Sequence, residues 1–159
     1  MYQDALEFLE EERDAWTPFE ALAGLSDDKL DVPVEAAHGW SGRDLLAHML
    51  AWQGIALEIA MELAVNETSP TIARVDAEWE AKGDRFNDEI QAEWAARPMS
   101  ELRERLATQP GELRGYLTVV PESRWVKNAE HLKTFHDETI AHYEEHAPEL
   151  EAVLAAAAG

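Results

Sequence analysis

The spacing of apolar residues constrains the fold of this chain most. Over residues 41–65, one set of side chains recurs three and four positions apart: Leu45, His48, Trp52, Ile55, Ile59 and Leu63. This spacing is typical of a helix with one buried face, whereas a half-buried strand alternates apolar and polar residues. No stretch of any length shows that alternation. The sequence therefore predicts an all-α protein.

Four long helical stretches can be bounded from their caps and prolines. The predicted helices are Tyr2–Ala23, split near Pro18; Ser41–Val65; Pro98–Val119, broken or kinked at Pro110; and Thr134–Ala157, kinked at Pro148. A less regular helical region, residues 71–96, is interrupted around Gly83. Four amphipathic helices without a sheet predict a four-helix bundle, here with a long, partly helical connection between helices 2 and 3. We expect one domain over residues 1–159.

Charge and composition exclude several classes of function. The chain has 13 Lys and Arg against 33 Asp and Glu, a net charge of −20, which repels nucleic acid and anionic membranes. Cysteine is absent, so disulfides, cysteine nucleophiles and Cys-based zinc sites are excluded. No apolar run is long enough to span a bilayer, and the first residues lack a signal-peptide pattern. We therefore expect a cytoplasmic protein whose ligand is a small molecule or a metal ion.

Three of the six histidines form a candidate metal site. His48 lies in the apolar stripe of the second helix, and His142 and His146 are four residues apart on the last helix, so that their rings can face one atom. Three imidazoles on one side of an ion leave a position open for water or substrate, as in catalytic zinc sites. The sequence does not choose between Zn, Ni, Fe and Mn.

Each of these residues also has a reading without metal. A single histidine in an apolar stripe is more often part of the core, and a pair four residues apart on an acidic helix is more often solvated. Asp44 can orient the second ring nitrogen of His48 or can cap its own helix. Glu144 and Glu145 are expected to point to solvent, and His136 to lie in the core or an interface. His38 and His131 are given no role.

Two motifs resemble a known superfamily. The segment Trp40-Ser41-Gly42-Arg43-Asp44-Leu45-Leu46-Ala47-His48-Met49-Leu50-Ala51-Trp52 resembles the second-helix signature of DinB-like four-helix bundles, and His142-Tyr143-Glu144-Glu145-His146 resembles their last-helix motif. Residues 86–102 are similar to the branch of the colibactin self-protection proteins. The resemblance implies a divalent ion on His48, His142 and His146, and a homodimer with His136 near its interface.

The resemblance leaves three hypotheses for function, because members of the superfamily include thiol S-transferases, isomerases and a resistance protein. The first is a metal-dependent hydrolase or thiol S-transferase that acts on a small electrophile. The second is a binder that sequesters a reactive small molecule in a cavity lined by Trp40, Trp52 and Tyr143. The third is a structural or regulatory dimer with a vestigial site.

Overall fold

A computed structural model describes residues 1–159 and contains helices but no strand. The α-helices are α1 (Ala5–Trp16), α2 (Asp27–Leu30), α3 (Gly42–Val65), α4 (Pro70–Lys82), α5 (Asp84–Ala95), α6 (Met99–Val119), α7 (Ala129–Glu138), α8 (Ile140–Glu145) and α9 (Ala147–Ala158). Short 3₁₀ segments span Thr17–Gly24, Glu35–Ala37 and Glu122–Arg124. The predicted all-α fold is confirmed.

Helix α3 is the centre of the bundle, and its local sequence explains where it begins. Ser41 caps it: the Ser41 hydroxyl accepts from the backbone N–H of Asp44, and the Asp44 carboxylate accepts from the backbone N–H of Ser41. This reciprocal capping box is the one that the sequence predicts. Along its length α3 contacts α6, α5, α4, α7 and α9. A side chain on α3 can therefore contact residues that lie far away in the sequence.

The predicted split of the first helix and the helical connection between helices 2 and 3 are both observed. Helix α1 ends at Trp16, and the chain continues as the 3₁₀ segment that contains Pro18. Helices α4 and α5 form the connection and pack on α3. They are separated at Gly83, whose φ of 56° is a conformation that side chains with a Cβ rarely adopt.

The last predicted helix is wrong in its start and in its continuity. It begins at Ala129 with Asn128 as the cap, not at Thr134, and it consists of three helices that meet at Thr139 and His146. Pro148 lies in the first turn of α9, where its missing N–H leaves no helical hydrogen bond unmade. The chain thus turns two residues before the proline instead of kinking at it.

Helix α6 continues through Pro110 without interruption. Pro110 is buried, as is its neighbour Gln109, on a helix that packs along α3. A proline inside a helix removes one backbone hydrogen bond and costs about 3 kcal/mol. We attribute the continuity of α6 to its long contact with α3, which holds the backbone on both sides of Pro110.

A layer of buried polar side chains divides the apolar core into two halves. One half includes Trp16 and Leu50, and the other includes Phe8 and Phe135. Between them lie the four linked side chains of the polar layer, which come from α1, α3, α6 and α8: Glu12, Gln53, Gln109 and Tyr143. The Glu12 carboxylate also accepts from Nε of Arg114 at 2.6 Å. This layer fixes how the four elements sit against each other, because a buried polar group is costly without its partner.

None of the helices combines the length and the apolar composition needed to cross a membrane. The single-domain organisation over residues 1–159 stays a prediction.

Candidate metal centre

The three predicted histidines come together in space. Nε2 of His48 lies 2.9 Å from Nε2 of His142 and 3.2 Å from Nε2 of His146. All three candidate ligand atoms lie within 4.8 Å of one another. His48 comes from the second turn of α3, His142 from α8, and His146 from the turn between α8 and α9. The arrangement joins residues that are 94 and 98 positions apart in the chain.

This cluster fits a divalent cation. Two nitrogens bound to one tetrahedral ion at 2.0–2.1 Å are separated by about 3.3 Å, and the observed separations from His48 are 2.9 and 3.2 Å. Three neutral imidazoles cannot satisfy one another, because the single Nε2 of His48 would have to serve two neighbours. A cation among the three lone pairs satisfies all of them.

Burial keeps two of these imidazoles neutral, which is the form that binds metal. Burial, together with the neighbouring His146, lowers the pKa of His48 to about 4, and the Gln91 side chain partly opposes this shift. Burial and the two other histidines lower the pKa of His142 to about 3. Both side chains are therefore unprotonated at neutral pH.

The other ring nitrogen of each histidine, Nδ1, is the atom that a neighbouring polar group could orient. Nδ1 of each of the three histidines is buried without a hydrogen-bond partner. The Asp44 carboxylate is held by the Ser41 backbone and hydroxyl, so its role is the cap and not the orientation of His48. Gln91 lies near His48 and donates to the carbonyl oxygen of Asp44, and its own Oε1 has no partner.

Glu149 is the carboxylate beside the cluster that the sequence analysis missed. Its Oε1 lies 3.6 Å from Nδ1 of His146, and its Oε2 is buried without a partner. Carboxylates in this position commonly orient metal-binding imidazoles. On one continuous helix, a spacing of three residues predicts that Glu149 lies beside His146. Here His146 lies at the junction of α8 and α9 while Glu149 lies within α9, so that rule does not apply directly.

An open pocket of about 450 Å³ lies over the cluster. Its aromatic walls are Trp40, Trp52 and Trp79. The Trp40 ring is stacked on His146 with centroids 5.8 Å apart, and the rings of Trp52 and Trp79 are stacked at 5.9 Å. Trp52 is held in place by its Nε1, which donates to Oδ1 of Asn87. The two predicted tryptophans thus line the pocket, and Trp79 was not predicted.

The remaining lining is acidic and contains no lysine or arginine. The carboxylates are Asp137, Glu138, Glu145 and Glu149. Glu145 was expected to face solvent alone, but α8 ends at this residue and the chain turns, so the helical wheel no longer describes its direction. Burial, with help from Asp137 and Asp76, raises the pKa of Glu138 to about 7.

Tyr143 does not line this pocket. It is 1% exposed and lies in the polar layer, where its hydroxyl accepts from Gln53 and donates to Glu12. Tyr143 is adjacent to His142, and neighbouring helical residues point about 100° apart. One therefore faces the pocket while the other faces the core.

The other three histidines lie outside the cluster. His136 is half-buried beside Tyr2, and Nδ1 of His131 lies 2.6 Å from the carbonyl oxygen of Arg124. His38 was given no role, yet it lines the rim of the pocket, with Nε2 3.9 Å from Glu149.

Comparison with known proteins agrees with this architecture. No curated protein and no solved structure matches the chain. One family does match, over residues 9–143, a range that includes His48 and His142 and ends before His146. It is a DinB-like family, which confirms the superfamily resemblance. The similarity of residues 86–102 to the colibactin self-protection branch stays a prediction. With its helical bundle and its histidine cluster, the chain belongs to the family of the mycothiol maleylpyruvate isomerase N-terminal domain.

Proposed function

We propose that this protein binds one divalent ion through His48, His142 and His146 and transfers or isomerises a small electrophile with a low-molecular-weight thiol. The observation that carries the proposal is the convergence of three imidazoles at the floor of an open pocket. When bound, the ion supplies a Lewis acid that lowers the pKa of a thiol or water. The family name, which contains mycothiol, favours the thiol over water.

The residues of this chain divide the work. The three histidines hold the ion, and Glu149 orients His146 from its other ring nitrogen. The tryptophans exclude water from one side of the pocket.

Metal binding is tested on tag-free protein after removal of metal with EDTA. We expect one Zn²⁺ per chain by calorimetry, and affinity that falls with pH as the imidazoles become protonated. At a free Zn²⁺ concentration of about 100 times Kd, the folded state gains about 2.7 kcal/mol. For a chain of this length that raises Tm by about 5–10 °C.

Single substitutions identify the ligands. His146→Ala should abolish stoichiometric binding and the Tm increase, whereas His136→Ala, the matched control outside the cluster, should retain both. Wild-type protein that binds no Zn²⁺, Ni²⁺, Fe²⁺ or Mn²⁺ would overturn the proposal. Turnover is then followed as loss of free thiol in the presence of an electrophile, with the His146→Ala variant as the blank.

A non-catalytic binder is the second candidate, favoured by the three tryptophans in the pocket wall. A binder takes up one electrophile per chain and stops, whereas an enzyme consumes many. Product formed per chain thus separates the two candidates. We also propose a cytoplasmic location, where low-molecular-weight thiols are kept reduced. The homodimer stays a prediction.

A further inference from the structure

The charged side chains that line the pocket over the histidine cluster are all acidic. Four carboxylates line it and no lysine or arginine does. Asp137 is paired with Lys133, which lies outside this lining but lines the adjoining cleft beside Asp76, Asp137 and Glu138, so that the carboxylates outnumber it there. Oε2 of Glu149 is buried without a hydrogen-bond partner. These groups leave an anion no counter-charge except the bound metal ion.

The ion does not reverse this balance. With one divalent cation on the three histidines, the four carboxylates leave the lining with a net formal charge between −2 and −1, since the pKa of Glu138 is about 7. The end of the pocket away from the ion would thus remain negative with the ion bound.

The aromatic walls add a second, independent feature. Trp79 on α4 is 37% exposed, and together with Glu138 on α7 it lines both this pocket and the adjoining cleft between α4 and α7. Trp52 is stacked on Trp79 and is fixed by Asn87. Indole faces attract cations, most strongly when the cation is a quaternary ammonium group partly removed from water. His48, which is 3% exposed, forms the floor of the same space.

We infer that the pocket takes its substrate by a cationic group, a quaternary or substituted ammonium, which packs on Trp79 and Trp52 and faces Glu138. The inference rests on the proposed function in one respect, since it assumes that the reacting end of the substrate lies toward the histidines. It predicts that substrates whose only charges are carboxylates or phosphates, including the maleylpyruvate of the family name, bind poorly to this chain. It also assigns Trp79 and Glu138 as the residues that set specificity.

The test uses three probes of one shape on the full chain. Choline carries the cation, 3,3-dimethyl-1-butanol is its neutral isostere, and 3,3-dimethylbutanoate is an anion of similar size. Binding is followed by calorimetry and by tryptophan fluorescence, since half of the six tryptophans line the pocket. Choline and the alcohol are compared in Zn²⁺-loaded and metal-free protein. The anion is compared in metal-free protein only, because a carboxylate can bind Zn²⁺ itself.

Choline should bind at least about fivefold more tightly than the alcohol, and the anion more weakly than both. The preference should shrink as salt is added. Glu138→Gln and Trp79→Ala should each bring the choline-to-alcohol ratio toward one. The control Glu67→Gln makes the same charge change at an exposed residue outside the pocket and should leave the ratio unchanged. Thermal melts of all variants verify folding, and Glu145→Gln, at an exposed residue of the lining, serves if Glu138→Gln melts early.

An alcohol that binds as tightly as choline, or an anion that binds more tightly, would overturn the inference. Zn²⁺ affinity measured on the same samples keeps the two proposals apart. Zn²⁺ binding without a choline preference contradicts the specificity inference alone. A choline preference in protein that binds no metal contradicts the proposed function alone.

Discussion

Replacing Arg114 by Met tests whether the polar layer contains a paired buried charge. The Glu12 carboxylate is 0% exposed and accepts from Nε of Arg114 at 2.6 Å and from the Tyr143 hydroxyl at 3.3 Å. Burial raises the pKa of Glu12, and Arg114 is the main group that opposes the rise. Met keeps most of the apolar stem of the arginine and removes only the cation.

The loss of stability has a ceiling that can be worked out. A buried carboxylate without its partner costs about 3–5 kcal/mol, but it can escape that cost by taking up a proton. Protonation costs about 1.36 kcal/mol for each pH unit above the ordinary pKa, which is 4.5 for this group. The ceiling is thus about 3.4 kcal/mol at pH 7 and about 0.7 kcal/mol at pH 5. Because burial already raises the pKa of Glu12 in the wild type, the expected loss lies below this ceiling, at under about 3 kcal/mol at pH 7 and under about 1 kcal/mol at pH 5.

The sign follows from proton linkage. In Arg114→Met the folded-state pKa of Glu12 lies above the unfolded value, so the folded state binds the extra proton and stability falls as pH rises through that interval. Urea unfolding in EDTA, followed by circular dichroism at several pH values, measures it. The matched control compares Glu12→Gln with the double variant Glu12→Gln/Arg114→Met, whose difference should not depend on pH. A loss in Arg114→Met that is the same at pH 5 and pH 7 would refute the argument.

Two further predictions concern the histidine cluster and the start of α3. Burial lowers the pKa of His48 to about 4. Metal-free wild type should therefore lose about 3 kcal/mol of stability relative to His48→Gln as pH falls from about 6.5 to 4. Urea unfolding of both proteins across that range measures the difference, and a difference in unfolding free energy that does not change with pH contradicts the lowered pKa. Ser41→Ala removes the side-chain cap of α3 and should lower the unfolding free energy by about 1 kcal/mol. Ser41→Thr keeps the hydroxyl that accepts from Asp44 N–H and donates to the Asp44 carboxylate, and it should restore most of the loss; equal losses in both variants would contradict the capping role.

Several helix boundaries could be predicted because neighbouring residues in the sequence determine them. The capping box at Ser41 and Asp44, the split at Pro18 and the break at Gly83 each depend on a few neighbouring residues. The apolar stripe of α3 likewise placed His48 on its buried face. Local geometry therefore sufficed for the fold class and for the choice of candidate ligands.

The breaks in the last helical region could not be predicted in the same way. Its sequence allows one long helix up to Pro148, yet the chain turns at Thr139 and again at His146. The stretch between them is only six residues long, and it is anchored by Tyr143 to the polar layer. Contacts with other helices, which no local pattern encodes, outweigh the preference for a continuous helix.

The sequence by itself determined that the chain forms a helical bundle, where α3 begins, and which three histidines are candidate ligands, because periodicity and capping act over one or two helical turns. Only the tertiary structure decided what surrounds those histidines. The turn at His146 brings Glu149 and Glu145 to the pocket, and α4 supplies Trp79 from a distant part of the chain. Tyr143 faces the core instead. Such neighbours are set by the packing of several helices at once, which a single helical wheel cannot represent.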